Sequence, residues 1–310
     1  MRVLVTGGAG FIGSHLVERL AEQGHRVRVL DDLSTGRRAN LNGAPAVELV
    51  QGDLRERDQV RRATEGVEAV FHVAARPSVA RSWADPVGTL AVNGQGTVNV
   101  VAAAAEAGVK TLVYSSSSSV YGEQAGLRMV ETMEPRPISP YGFSKLFGEQ
   151  YALAHGGVNG LRVVALRYFN VFGPRQDPDS PYSAVIPIFI RCALAGTQAS
   201  IHGDGRQSRD FTYVANVVDA NLAALAGRQE GTLVNVACGG SHSLLDLVKA
   251  ISRLSGSPLR VRHDQSREGD IRHSQADVGS ARRLLGFEPR VGFEEGLELT
   301  FAHLRNAHRG

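Results

Sequence analysis

Three glycines stand at fixed spacing between the first apolar run of the chain and a helical pattern. Residues 6–13 read Thr-Gly-Gly-Ala-Gly-Phe-Ile-Gly, and Val3-Leu4-Val5 precede them. In such a loop Gly7 permits a tight turn, Gly10 leaves room for a pyrophosphate beside the backbone, and Gly13 lets the helix pack close to the strand. The helix N-terminus adds free N–H groups and a positive dipole end. The loop therefore predicts a dinucleotide site at the start of the chain.

Short apolar runs alternate with helical patterns through the first half of the chain. They predict buried strands at residues 3–5, 27–30, 47–50, 70–73 and 112–114, and a later strand at 233–237. The Ala- and Val-rich stretch 82–108 predicts one long packed helix. Alternation of this kind is typical of the α/β class, with a doubly wound parallel sheet and helices on both faces.

The alternation weakens after Arg167. Four prolines, at positions 174, 178, 181 and 187, crowd the next twenty residues, and residues 203–205 form a turn signal. From Gly239 the chain becomes helical and rich in loops. We therefore assign residues 175–210 and 239–310 to a second, smaller region, and residues 1–174 and 211–238 to the region that contains the dinucleotide loop.

An acidic residue ends the second predicted strand. A carboxylate at Asp31 can accept hydrogen bonds from both adenosine ribose hydroxyls and would repel a 2′-phosphate, which favours NAD over NADP. Arg37 and Arg38 lie close by in the sequence and leave NADP open. Asp53 and Leu54 follow the third strand; they are expected to flank the adenine, unless Asp53 caps the next helix.

Composition and charge narrow the possible partners. The net charge of the 310 residues is +3, and the basic residues are scattered without aromatic interleaving, so we expect no nucleic-acid binding. No apolar run approaches the ~20 residues that span a bilayer, and the N-terminus has no signal-peptide core, so we expect no membrane association and a cytoplasmic location. Cys192 and Cys238 lack metal-ligand spacing, so we expect no metal site.

A tyrosine and a lysine form a Y-x-x-x-K pair in the middle of the chain. Ser139 and Pro140 precede Tyr141, so a helix is expected to begin there. Residues four apart share a helix face, and the ammonium of Lys145 is expected to lower the pKa of the Tyr141 phenol from ~10. Tyr141 could then act as a general base. Ser117 follows the preceding strand and is expected to share the proton of the reacting hydroxyl.

The whole chain resembles the extended short-chain dehydrogenase/reductases, and among them the UDP-hexose 4-epimerases. The motifs that carry the resemblance are the glycine loop, Ser115-Ser116-Ser117 with Val120-Tyr121-Gly122, Tyr141 with Lys145, and the segments 167–175, 208–211 and 267–270. The resemblance implies a Rossmann-type doubly wound parallel sheet that binds NAD (residues 1–174 and 211–238). It also implies a smaller C-terminal α/β substrate domain (residues 175–210 and 239–310), and a homodimer joined through helices near 82–108 and 141–156.

The resemblance also implies a role for individual residues. Tyr141 is the base, Lys145 positions the nicotinamide ribose and tunes Tyr141, and Ser117 assists at the sugar hydroxyl. The implied cofactor residues are Gly7, Gly10, Phe11, Ile12, Gly13, Asp31, Asp32, Asp53, Leu54, Ala74, Ala75, Asn93, Ser115, Tyr141, Lys145 and Tyr168. The implied substrate residues are Ser117, Asn170, Ala184, Val185, Arg209, Arg267, Asp270 and Ser274.

The implied reaction is an isomerisation, the epimerisation of a UDP-hexose at C4. Tyr141 takes the C4 hydroxyl proton while NAD takes the C4 hydride, and the 4-keto sugar turns over before the hydride returns. Asn170, Arg209, Arg267 and Asp270 match positions that hold the UDP. The small Ser274 and Ala184 match a sugar pocket that admits the N-acetylated UDP-GlcNAc and UDP-GalNAc beside UDP-glucose and UDP-galactose.

Four alternatives to an epimerase are weighed against the same residues. Sugar-nucleotide dehydratases carry an Asp-Glu pair, and decarboxylases usually a glutamate, where this chain has Ser118 and Ser119, so both reactions lack their proton carriers. An NADPH-dependent reductase is disfavoured by Asp31. A dinucleotide-sensing regulator without catalysis is disfavoured because Tyr141 and Lys145 are both present.

Overall fold

A computed structural model describes residues 1–44, 46–124, 128–178, 184–229, 231–265 and 271–309. The strands in chain order are β1 Arg2–Thr6, β2 Arg26–Asp31, β3 Glu48–Gln51, β4 Ala69–His72, β5 Thr111–Ser117, β6 Arg162–Tyr168, β7 Val171–Phe172, β8 Ala199–His202, β9 Ser208–Arg209, β10 Thr212–Tyr213, β11 Thr232–Val236, β12 His242–Ser243, β13 Val261–Asp264 and β14 His273–Ser274. The helices are α1 Phe11–Glu22, α2 Arg57–Thr64, α3 Val79–Ala84, α4 Pro86–Leu90, α5 Gly96–Glu106, α6 Pro140–Asn159, α7 Val185–Ala195, α8 Val214–Ala226, α9 Leu244–Ser255, α10 Gly279–Leu285 and α11 Phe293–Arg309.

The main sheet of the described residues has seven strands in the order β11-β6-β5-β4-β1-β2-β3. Every pairing in it is parallel. Side chains of α1 and α8 pack in the core on one face of the sheet, and side chains of α2, α5 and α6 pack in the core on the other. The predicted α/β class with a doubly wound parallel sheet is confirmed. The strand order reverses between β1 and β4, where sheets of this kind bind ligands beyond their carboxyl ends.

Two details of the sheet and its helices differ from the sequence-based expectation. β3 is a half-buried edge strand, not a buried one, because nothing pairs with it beyond β2 in the described residues. The stretch 82–108 is not one helix. It breaks at Asp85, whose carboxylate caps α4 by accepting a 2.9 Å hydrogen bond from Gly88 N–H, and Pro86 begins α4. A π-helical turn, Ala91–Gln95, then leads into α5.

A third core lies outside the main sheet. It joins α7, α9 and α11 around a cluster of aromatic rings that includes Phe172, Phe211 and Phe293. Ala281 and Phe287, from the C-terminal part of the chain, pack instead in the core beneath α1 and α8. The smaller region is therefore attached to the core of the main sheet by α10 and the segment that follows it, and the division at residue 239 remains a prediction.

Candidate active site

The glycine loop after β1 is packed so closely that side chains are excluded. Gly7 has φ +70°, and a Cβ on it would lie 2.7 Å from the Cα of Ala74. A Cβ on Gly13 would overlap the carbonyl oxygen of Gly7. Gly10 precedes the first residue of α1 and donates a 3.1 Å hydrogen bond to that same carbonyl. The backbone thus forms a bare cradle at a helix N-terminus, which fits the pyrophosphate of a dinucleotide.

Asp31 ends β2 beside this loop and is buried. Its two carboxylate oxygens accept hydrogen bonds from Ala9 N–H and Leu33 N–H, both at 2.9 Å. Burial raises the pKa of Asp31 above its ordinary value, and the two hydrogen bonds oppose that rise. Loop and carboxylate are therefore held as one unit.

The two arginines that left NADP open are bonded to other groups. Arg37 donates to the Asp177 carboxylate at 3.2 Å, and Arg38 donates to the Gln51 side chain at 3.0 Å. Neither bond involves Asp31, and each guanidinium is directed to a partner other than the ribose site. This arrangement agrees with NAD.

A cavity of about 1860 Å³ lies beyond the carboxyl ends of the central strands. The predicted residues that line it are Gly7, Gly10, Phe11, Ile12, Gly13, Asp31, Asp32, Asp53, Leu54, Ala74, Ala75, Ser115, Tyr141, Lys145, Tyr168 and Ala184. Asp53 does not cap the next helix, since α2 begins at Arg57 after Glu56; it forms an ion pair with Arg55, and that hydrogen bond lowers the pKa of the Asp53 carboxyl. The cavity is large enough for a dinucleotide and a second nucleotide-sized ligand together.

Asn93 is placed behind the cavity wall. Its side chain is buried, accepts a 2.7 Å hydrogen bond from Arg76 N–H, and donates one to Ser144 Oγ at 3.0 Å. Asn93 therefore ties the loop after β4, which lines the cavity, to helix α6. A direct contact of Asn93 with a cofactor remains a prediction.

Helix α6 carries the Y-x-x-x-K pair into the cavity. The helix begins at Pro140 as predicted, and the Ser139 hydroxyl caps it by accepting a 3.1 Å hydrogen bond from Gly142 N–H. Lys145 is buried, with Nζ 4.7 Å from the centroid of the Tyr114 ring. Ser117, the last residue of β5, lies close enough to Tyr141 for its hydroxyl to favour the charged form of the phenol. Serine, tyrosine and lysine thus converge where β5 ends.

The predicted lowering of the Tyr141 pKa is wrong for the protein alone. Burial raises the pKa of Tyr141, and the Ser117 hydroxyl only partly opposes this rise. Burial also lowers the pKa of Lys145 to about 7, against the attraction of Glu149. Removal from water penalises the charged form of each residue.

Three of the predicted substrate residues lie at or beside the short strands β9 and β14, and two others lie at the start of α7. Arg209 of β9 pairs with Ser274 of β14, which is buried. Asn170 Nδ2 donates to the carbonyl of Asp210 at 3.2 Å. Val185 is the first residue of α7, directly after Ala184. Arg267 and Asp270 lie outside the described residues.

The sequence analysis did not predict the contacts of two groups of residues near the site. Arg175 lines the cavity and bonds to Glu18 at 2.8 Å and to Ser14 at 3.4 Å, which ties the chain after β7 to helix α1. Glu149 and Arg167 form a buried ion pair, and Ser116 donates a hydrogen bond to the Glu149 carboxylate. The only sequence signal for Glu149 was its place four residues after Lys145, on the same helix face.

Searches for a metal site and for a membrane span were negative within the described part of the chain. Its residues contain no group of three or more His, Cys, Asp or Glu side chains placed to hold a metal ion. None of the helices among them combines the length and the apolar character needed to cross a bilayer.

The fold and the site together define an enzyme class that binds a dinucleotide beside a Ser-Tyr-Lys set. The sequence profile of the NAD dependent epimerase/dehydratase family matches residues 3–237. The chain belongs to this family, and it is an NAD-dependent enzyme, as predicted.

Individual relatives match the chain over almost its full length. The UDP-glucose 4-epimerase of Mycolicibacterium smegmatis is 40% identical and covers 99% of both chains. The structure of Thermus thermophilus UDP-glucose 4-epimerase in complex with NAD superimposes with a TM-score of 0.92 at 40% identity, covering 99% of this chain and 100% of that one. UDP-N-acetylglucosamine 4-epimerase from Methanobrevibacter ruminantium, in complex with UDP-N-acetylmuramic acid, gives a TM-score of 0.94 at 38% identity, covering 99% and 98%.

Proposed function

We propose that this enzyme interconverts UDP-glucose and UDP-galactose, and UDP-GlcNAc and UDP-GalNAc, by epimerisation at C4 through a 4-keto intermediate. The observation that carries the proposal is that Tyr141 and Lys145 line the same cavity as the glycine loop, with Ser117 beside Tyr141 at the end of β5. The reaction needs one group that moves a proton at a single hydroxyl, and Tyr141 is that group. The short turn after Ser117 carries Ser118 and Ser119, which offer no carboxylate for dehydration or decarboxylation.

The residues of the chain divide the work of the reaction. NAD, when bound, accepts the hydride of the sugar C4 and later returns it. Tyr141 Oη takes the proton of the C4 hydroxyl and gives it back, so protons and electrons balance over one turnover. The hydroxyl of Ser117, beside Tyr141, shares that proton. Lys145, with its pKa near 7, stabilises the phenolate and is placed to orient the ribose of the cofactor.

Epimerisation requires the sugar to present its other face while the nucleotide stays bound. Arg209 of β9 and Asn170 after β6 are assigned to the UDP, because a guanidinium grips phosphate oxygens through paired hydrogen bonds. Asn170 directly precedes β7, and Arg209 lies in the smaller region. The three named epimerase relatives support a UDP-sugar as the ligand of this region.

The test is product formation by the purified protein without added NAD. UDP-glucose and UDP-GlcNAc are incubated separately, and the nucleotide sugars are resolved by chromatography. We expect UDP-galactose and UDP-GalNAc, with Tyr141→Phe as a folded control that forms neither at more than about a hundredth of the parent rate. If neither product forms even after NAD is supplied, the proposed reaction is wrong. Products formed from UDP-glucose would connect the enzyme to galactose metabolism.

We also propose that two copies of the chain associate through α4 and α6. Exposed apolar side chains cluster on these neighbouring helices: Leu90 and Phe147 both lie against Gly94, and Phe143 is one turn from Phe147 on α6 and 59% exposed. A patch of this kind on two adjacent helices can meet its own copy across a two-fold axis and form a four-helix contact. Light scattering of the parent should give a dimer and of Phe147→Lys a monomer; a monomeric parent would contradict the proposal. The two free thiols and the dimer fit a cytoplasmic enzyme.

A further inference from the structure

A fully buried ion pair lies directly behind the catalytic residues. Glu149 on α6 and Arg167 on β6 each expose 2% of their side chains. Arg167 donates to both carboxylate oxygens, from Nη2 to Oε1 at 2.6 Å and from Nε to Oε2 at 2.9 Å. Because removing both charges from water is costly, a pair of this kind calls for an explanation beyond stability.

The same carboxylate holds the strand that carries the catalytic serine. Ser116 Oγ donates to Glu149 Oε2 at 2.6 Å, and Ser116 immediately precedes Ser117 on β5. Glu149 lies one helical turn after Lys145 and two turns after Tyr141. One side chain therefore connects three elements: the catalytic helix α6, the end of β5 and the end of β6.

The surroundings of Tyr141 and Lys145 make the charge of this pair important. The titratable and charged groups that face them are His72 on β4, Tyr114 on β5, Glu149 on α6 with Arg167 on β6, and Arg76, Arg81 and Asp85 along the cavity wall. His72 is fully buried with its pKa lowered to about 3, so it is neutral, and burial raises the pKa of Tyr114 far above neutral. Behind Lys145, the ion pair contributes two full charges of opposite sign, and the Glu149 carboxylate raises the pKa of Lys145.

We propose that Glu149 is a positioning residue that, paired with Arg167, fixes Ser116 and hence Ser117 against the catalytic helix while leaving no net charge behind Tyr141 and Lys145. The proposal rests on the proposed function only in naming Tyr141 as the base. Arg167 is held in turn by the Tyr121 ring, 4.6 Å from its guanidinium carbon, and Tyr121 Oη donates to Asn235 Oδ1 at 2.6 Å. The pair is thus anchored on the side away from the cavity as well.

The electrostatic half of the proposal is tested by titrating Tyr141 itself. Tyrosinate absorbance is followed against pH in the NAD-containing protein, as the difference between each variant and the same variant with Tyr141→Phe. Glu149→Gln leaves the Arg167 charge uncompensated and should shift the Tyr141 titration down by ~0.5–1 pH unit, whereas Arg167→Met leaves the Glu149 charge and should shift it up by a similar amount. Arg167→Lys keeps the charge and should give the parent titration. Shifts in the same direction, or no shift in either single variant, would overturn the proposal.

A double variant covers the case in which a single variant does not fold. Glu149→Gln with Arg167→Met removes both charges and leaves no buried unpaired ion. Its Tyr141 titration should coincide with that of the parent, and a displaced titration in the double variant contradicts the proposal. This experiment needs no sugar substrate, so it remains decisive even if the epimerisation test fails.

The positioning half is tested by Ser116→Ala, which removes one hydroxyl and leaves the ion pair in place. We expect kcat to fall about tenfold with KM unchanged, because a displaced Ser117 weakens proton transfer but not nucleotide binding. The Tyr141 titration of this variant should move far less than in the charge variants. An unchanged kcat, or a fall that appears only in KM, would overturn this half.

Discussion

Lys145 Nζ lies 4.7 Å from the centroid of the Tyr114 ring, so the catalytic ammonium rests on an aromatic face. Tyr114 Oη also donates to the Lys145 carbonyl at 3.3 Å, and Gly148 leaves the space that this ring occupies, since a Cβ there would overlap the phenol oxygen. Burial favours the neutral amine, and the negative face of the ring favours the cation. The Tyr114 ring therefore favours the charged form of Lys145 at a position from which water is excluded.

Removal of the Tyr114 ring should disfavour the protonated form of Lys145. In Tyr114→Leu the cation loses a contact of about 1–2 kcal/mol, so kcat at neutral pH should fall roughly tenfold and the alkaline limb of its pH profile should move to lower pH. Tyr114→Phe keeps the ring and should retain most of the activity. Steady-state kinetics across pH for both variants provide the measurement. Equal losses in the two variants would show that the hydroxyl, and not the ring, is what matters.

The lysine itself should make the protein less stable. The pKa of Lys145 is about 7 in the folded protein and near 10.5 when unfolded, so between these values only the unfolded chain binds the proton. The free energy of unfolding should therefore rise as the pH increases from about 7 toward 10. Below pH 7 the full cost of burying the charged lysine lowers the stability of the protein. Lys145→Met should abolish activity and raise the free energy of unfolding at pH 7 by ~1–3 kcal/mol.

Chemical denaturation of Lys145→Met against the parent measures this difference. Lys249→Met on α9 is the matched control, because Lys249 is exposed, and it should change stability by less than ~0.5 kcal/mol. A Lys145→Met protein less stable than the parent would mean that packing around the lysine outweighs the cost of burying its charge.

The local patterns of the sequence predicted the parts of the site that lie within one turn or one helix. Glycine spacing in residues 7–13 and the four-residue spacing of Tyr141 and Lys145 depend on backbone geometry alone. The direction of the Tyr141 pKa was predicted wrongly because burial is a property of the packed structure and not of spacing. The Glu149–Arg167 pair depends on how α6 lies against β6, which no local pattern contains.

The break at Asp85 shows a different kind of error. An aspartate followed by a proline signals a new helix start, but the apolar composition of residues 82–108 favoured a single helix. The edge position of β3 could not be predicted for another reason, because its apolar residues are typical of both central and edge strands. Strand order decides between them, and strand order follows from the crossovers.

The glycine cradle should be intolerant of a single methyl group at Gly13. In Gly13→Ala the Cβ would overlap the Gly7 carbonyl oxygen, so the loop must shift and the phosphate site is lost. We expect no detectable NAD in the purified variant, measured after denaturation and extraction. Gly157→Ala is the matched control: it lies in α6 with no atom within 4 Å of the added carbon, and it should raise stability by about 0.5–1 kcal/mol with NAD retained. If Gly13→Ala retained NAD, the loop could not be part of the cofactor site.

The assignment of Ser274 to the wall of the sugar pocket predicts which sugars are accepted. Ser274 is buried in β14 opposite Arg209, and under this assignment a tyrosine there would fill space that a C2 acetamido group requires. In Ser274→Tyr we expect kcat/KM for UDP-GlcNAc to fall by at least about a hundredfold, with that for UDP-glucose reduced less than about tenfold, since the added ring blocks only the bulkier substrate. Ser274→Ala preserves the small volume and should keep both activities. A parallel loss of both substrates in Ser274→Tyr would indicate that β14 itself is distorted, and selective loss of UDP-glucose would place the C2 group elsewhere in the cavity.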